Sequence, residues 1–145
     1  MADQSIGFVL SRIKTIHFEL NDSVYNDAED VKFETGISVK ASDKEHLISI
    51  FFMVRFKCEI EPFIQLEVQC EFEIEPKTFE SFRSAKDILT IPSAFARHLA
   101  VVTVGTTRGI LFEKLNKTSF KSFLLPSINL MKFIKEDVVL KENEN

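Results

Sequence analysis

The residues of this chain that could do chemistry are scattered rather than clustered. Its three histidines, His17, His46 and His98, fall on different stretches, and none has a Cys or carboxylate partner at metal-ligand spacing. They read as solvated or structural side chains. Ser, His and Asp all occur, but no G-x-S-x-G elbow presents a serine nucleophile. With four glycines in the chain, Gly105-Thr106-Thr107-Arg108-Gly109 comes nearest to a phosphate loop. It lacks the lysine and the preceding strand that such a loop needs. Neither catalysis, a metal site nor a cofactor is expected. One pattern is left: acidic residues recur at alternate positions from Glu67 to Glu75, including Glu71 and Glu73. That is either a solvated sheet face or an electrostatic docking surface for a basic partner.

The element that carries these carboxylates is the clearest in the sequence. From Phe63 to Glu75, Ile64, Leu66, Val68, Cys70, Phe72 and Ile74 alternate with Gln and Glu, which predicts a strand with one buried and one wet face. The preceding run, His46 to Ile60, has Ile48, Ile50, Phe52, Val54, Phe56 and Cys58 on one face. Its other face mixes Arg55 and Lys57 with Leu47, Phe51 and Met53, so the first half is apolar on both sides. Pro62 marks the turn between these two strands. In that register Cys58 faces about residue 64 and Cys70 about residue 52. The thiols then lie roughly 20 Å apart at ~3.4 Å per residue, too far for a disulfide.

Val31 to Ser42 predicts another strand, joined to the next through Ala41-Ser42-Asp43-Lys44. The first strand, about Ser5 to Leu20, slips phase near Arg12 to Thr15, as a bulge would make it do. Pro92 opens a helix over Ile91 to Leu115, although Val101 to Thr107 has strand propensity; about 25 residues without a clean turn is too long for one strand. Its Ala94, Ala96, Ala100, Gly105 and Gly109 would allow close packing on another element. Phe120 to Ile128 reads as extended, and Asn129 as the N-cap of a short helix. These elements make one α+β domain over residues 1–145: sheet in 1–75, a helical part in 76–139, and a frayed tail in 140–145.

Composition sets the class. A chain of 145 residues is one domain by length, and 15 Phe with one Tyr and no Trp make its aromatic content almost wholly apolar. A net charge of −4 without any Lys/Arg run argues against nucleic-acid binding. No apolar stretch of 18 residues suggests membrane insertion, and the start, Met1-Ala2-Asp3-Gln4, has no secretory pattern; two free buried thiols suit a reducing compartment. A cytoplasmic location is expected.

The stretch Ile91-Pro92-Ser93-Ala94-Phe95-Ala96-Arg97, followed by Arg108-Gly109, resembles in order the opening of the long helix, and the pair near that helix's end, of the SecB family of export chaperones. Leu124-Leu125-Pro126-Ser127-Ile128-Asn129-Leu130 is similar to the segment before its last helix. Arg12-Ile13 with Ile16-His17-Phe18-Glu19, and Glu67-Val68-Gln69, resemble its first and fourth strands. The resemblance implies a four-stranded antiparallel sheet, then a long helix and a short C-terminal one, in a homotetramer built as a dimer of dimers with the long helices at the interface. It implies apolar grooves that hold unfolded client polypeptides, and an acidic sheet face that docks the SecA motor.

Carried over by position, the docking carboxylates are Glu19 and Glu67, with Glu71 and Glu73 on the same stripe. Leu47, Phe51 and Met53 are client-binding candidates from the strand that is apolar on both faces. Leu124, Leu125, Ile128, Leu130 and Phe133 are the others, around the last helix. Core or subunit packing is the alternative for each. The expected function is ATP-independent holding of unfolded polypeptides, with two others left open: a chaperone dedicated to one partner such as an antitoxin, or a carrier of an apolar small molecule.

Overall fold

The computed structural model describes residues 7–141. Ser5 and Ile6, expected in the first strand, and residues 142–145 of the expected tail lie outside that range. Four strands form an antiparallel sheet: β1 (Phe8–Leu20), β2 (Val31–Ser42), β3 (Leu47–Cys58) and β4 (Glu61–Ile74). Their order across the sheet is β1-β4-β3-β2, so β3 and β4 are central and β1 and β2 are edges. After it come a short helix α1 (Pro76–Ser81), strands β5 (Arg83–Ala85) and β6 (Ile88–Ile91), the long helix α2 (Ser93–Leu115), the one-turn helix α3 (Leu130–Phe133) and β7 (Val138–Lys141). The fold is α+β, as expected.

The alternation read from β3 and β4 holds. Ile48, Ile50, Phe52 and Val54 of β3 and Ile64, Leu66, Val68, Cys70 and Phe72 of β4 are buried together with Leu99, Ala100, Val104 and Leu111 of α2. In α2, the hydroxyls of Thr103, Thr106 and Thr107 donate to the carbonyls of Leu99, Val102 and Thr103 at 2.8–3.0 Å. Those bonds satisfy groups that would otherwise favour an extended chain, which lets Val101 to Thr107 sit in a helix.

The expected phase slip in β1 resolves into two bulges. The β1–β4 register shifts between Leu10 and Arg12 and again between Thr15 and His17. Ser11 and Ile16 are the extra residues, and each turns the following side chains back to their proper face.

Several details differ from the sequence expectation: the β2–β3 turn is Asp43 to His46, with Ala41 and Ser42 in β2, and Ile91 belongs to β6 rather than to the long helix. The β3–β4 turn is Glu59-Ile60, with Glu59 at φ 58°, and Pro62 belongs to β4. The register shifts beside Pro62, between Phe56 and Lys57, so that Phe63 is turned inward and is fully buried next to Ile64. The cysteines accordingly pair differently: Cys58 stands opposite Glu61 and Cys70 opposite Ile50. Both thiols are free and buried, and burial pushes that of Cys70 up, partly offset by hydrogen bonds with Thr103 and Thr106. Finally, Leu140 and Lys141, expected in a frayed tail, form a strand with Val138 and Val139, expected in the helical part. That strand pairs with β6 in a three-stranded sheet, β5-β6-β7. Strands of three or four residues carry too little periodicity to be seen in a sequence.

If β3 and β4 carry the core, Phe52→Ala should lower unfolding free energy in urea by roughly 3–5 kcal/mol. Ile16→Ala, at a bulge and half exposed, should change it by about 0.5 kcal/mol or less.

Candidate functional site: a cleft beside the free edge of β2

A helix with its side chains is about 10 Å across and strands are about 4.8 Å apart, so one helix covers about two strands. Helix α2 lies over β3 and β4. The inward side chains of β2, Phe33, Thr35, Ile37 and Val39, are left partly exposed. No strand pairs with the outer side of β2 among the described residues, so its edge amides and carbonyls are also free for a partner.

The chain returns past this edge after α2. Asn129 caps α3 by accepting from the Met131 amide at 3.1 Å, as its type predicts. Arg97 on α2 donates to the carbonyl of Ile134 at 2.8 Å, and Asp137 accepts from the Ser93 amide, at the start of α2, at 2.8 Å. A carboxylate there meets the free amides of a helix N-terminus. Both ends of the segment 134–137 are therefore fixed to the first turns of α2. Between it and β2 lies a cleft of about 550 Å³, lined by Ile37, Val39, Phe133, Ile134 and Val138 on its apolar side and by Lys135, Glu136 and Asp137.

Of the C-terminal candidates, Phe133 lines this cleft and is 43% exposed. Ile128 and Leu130 are half-buried against the core, and Leu124 points to solvent, 58% exposed. Leu125 is a correction: at 5% exposure it is a core residue, its carbonyl held by Arg108, and it is not available to a client. Leu47, Phe51 and Met53 are half-buried on the opposite face of the sheet, with the Lys40 ammonium over the Phe51 ring at 5.3 Å. The two candidate sets therefore form no single groove. Ile37, Val39, Ile134 and Val138 were not singled out in the sequence. Along β2 the alternation is that of any half-buried strand, and only the strand order shows that it is an edge.

The outer face gathers Glu67, Glu71 and Glu73 along β4, with Glu19 beside their end on β1. It is less acidic than β4 alone suggests. Arg12 stands opposite Glu71 and His17 opposite Glu67 across the β1–β4 ladder, and His17 lies 3.3 Å from Glu19. On the far side, Lys57 donates to Glu34 at 2.8 Å and Arg55 lies 3.6 Å from the same carboxylate. The Lys57 hydrogen bond, more than either charge, holds the Glu34 carboxyl below the usual range. Among the described residues no group of three or more His, Cys, Asp or Glu is placed to hold a metal ion, and no helix is long and apolar enough to cross a membrane.

A lowered folded-state pKa stabilises the protein above the ordinary Glu value, and that contribution is lost as pH falls through the folded one. Lys57→Ala should therefore lower Tm at pH 7, and the difference from wild type should close as the solution is acidified past the ordinary carboxylate range. Set against protein-family models, curated proteins and solved structures, the chain finds no match in any of the three, so its function is argued from this geometry.

Proposed function

We propose that this protein is a cytoplasmic holding chaperone of the SecB kind, which keeps extended, unfolded polypeptides from aggregating without using nucleotide. The observation that carries the reading is the cleft beside β2: a trough with one apolar and one charged side that opens at Ile37 and Val39 next to a free strand edge. The edge offers backbone hydrogen bonds, which are indifferent to sequence, and the trough removes apolar side chains from water at ~25 cal/mol per Å². Together these suit a client that is extended and apolar but not of fixed sequence.

A tetramer fits the same picture. On the side of α2 away from the sheet, Val101 and Phe112 are 58% and 52% exposed, and a Cβ at Gly105 or Gly109 would meet nothing within 4 Å. That open, small-residue surface is where a second copy's helix can approach closely. The acidic outer face is a separate surface: Arg12 and His17 stand opposite Glu71 and Glu67 there and reduce its negative charge for a basic partner such as the SecA motor.

The test is suppression of aggregation. At equimolar tetramer, with a mass by light scattering about four times 16.7 kDa, the protein should suppress aggregation of a denatured substrate in the absence of ATP. Ile37→Ser with Phe133→Ser should lose most of this activity at unchanged mass. Phe51→Ser with Met53→Ser, on the other face, should keep it. Absence of suppression by the wild type sinks the reading, and co-purification with one stable partner or a bound apolar small molecule would replace it with another.

A further inference from the structure

We propose that residues 118–128 occupy part of the client groove as an internal ligand, latched by Arg108, and that an extended polypeptide displaces them. This rests on the holding reading above and adds a means of regulation. The segment crosses from the end of α2 to α3 without regular structure beyond turns. Among the described residues its backbone hydrogen bonds are local, from Thr118 to Leu115 and from Phe123 to Phe120, and none ties it to a strand. What holds it are a few side chains and one guanidinium. Arg108 donates to the carbonyls of Leu125 at 3.4 Å and Pro126 at 3.1 Å.

The side chains it inserts are of the type a client would offer. Phe123 lies 5.4 Å from Phe56 and 5.3 Å from Phe63, and Phe120 lies 5.2 Å from Phe63, ring centre to ring centre. Phe56 in turn lies 5.0 Å from Phe33, ring centre to ring centre and tilted against it, and Phe33 shares the inner side of β2 with Ile37 and Val39. Phe33 to Val39 is a rail of about 20 Å at ~3.3 Å per residue. One end of that rail is the open cleft, and the other abuts the aromatic slot filled by Phe120 and Phe123. An extended chain that enters at Ile37 and Val39 and continues along β2 reaches this slot. It fits there by presenting two aromatic or large aliphatic side chains, as the chain's own segment does. Phe120 and Leu125 of the segment belong to the same buried cluster as Phe56 and Phe63, so its displacement opens that end of the core, while the part under α2, from Ile48 to Val54 and from Leu66 to Phe72, stays covered by the helix.

Because the chain has no Trp, Phe123→Trp gives a reporter of that one ring. Titration of this full-length variant with a Trp-free, Phe- and Leu-rich unfolded peptide should shift its emission to the red. In the wild type the same peptide should speed amide exchange in 118–128 by tenfold or more. Arg108→Gln, with its Tm checked, should bind the peptide about fivefold more tightly, the scale of one net hydrogen bond. Binding by Arg108→Gln but not by wild type also supports the latch. If the peptide binds both equally and leaves emission and exchange in 118–128 unchanged, the segment is a fixed wall and the latch is wrong, while holding stands. If neither protein binds the peptide, holding and latch both fail.

Discussion

The structure turns on a mismatch of widths. A four-stranded sheet has an inner face about twice as wide as one helix can cover, and this chain supplies one long helix for it. The two central strands receive α2 and are sealed. The two edges are not: in β1 Ile13 and Ile16 stay about half exposed, and in β2 no inward side chain is fully buried. Strand order decides where that deficit falls, because β3 and β4 lie between the edges and share most of the core.

The chain treats its two uncovered edges differently. β1 carries two bulges, which break the regular edge that another strand would pair with. β2 pairs with β3 without a break over its whole length and keeps a regular, unblocked edge. Beside it the polypeptide returns as an irregular segment rather than a second long helix, fixed by Arg97 and Arg108 through carbonyl groups. That cover also plants Phe120, Leu125 and Ile134 in the core, but it leaves β2 uncapped, and a cleft beside a regular edge is easier to fill with an extended chain than one beside a bulged edge. The architecture therefore favours an occupant at β2.

The sequence disclosed what periodicity can disclose. Strict alternation from Ile64 to Ile74 identified β4 and its buried face, and length outweighed strand propensity in α2, where threonine hydroxyls turn out to be satisfied within the helix. Asn129 announced α3 through its capping chemistry. Other features depend on relations between distant segments. Nothing local distinguishes Ile37 and Val39 on an edge strand from the same residues on a central one. Leu124 and Leu125 are chemically alike, yet one faces water and the other the core, because successive side chains of an extended segment point to opposite sides. Alternation alone places Phe63 at the start of a strand, but a shift beside Pro62 aims it into an aromatic cluster with Tyr25, Phe120 and Phe123. The small sheet that closes on Val138–Lys141 was invisible for want of length.

An unfolded client held by this protein would lie along the β2 edge, and amide exchange resolved to single residues, with and without a saturating unfolded client, reads this directly. Exchange should slow at the outward-pointing amides of residues 33–39, where a new strand would take up hydrogen bonds, with β1 unchanged. Slowing confined to β1 or to the outer face around Phe51 and Met53, or no slowing anywhere on β2, would contradict it.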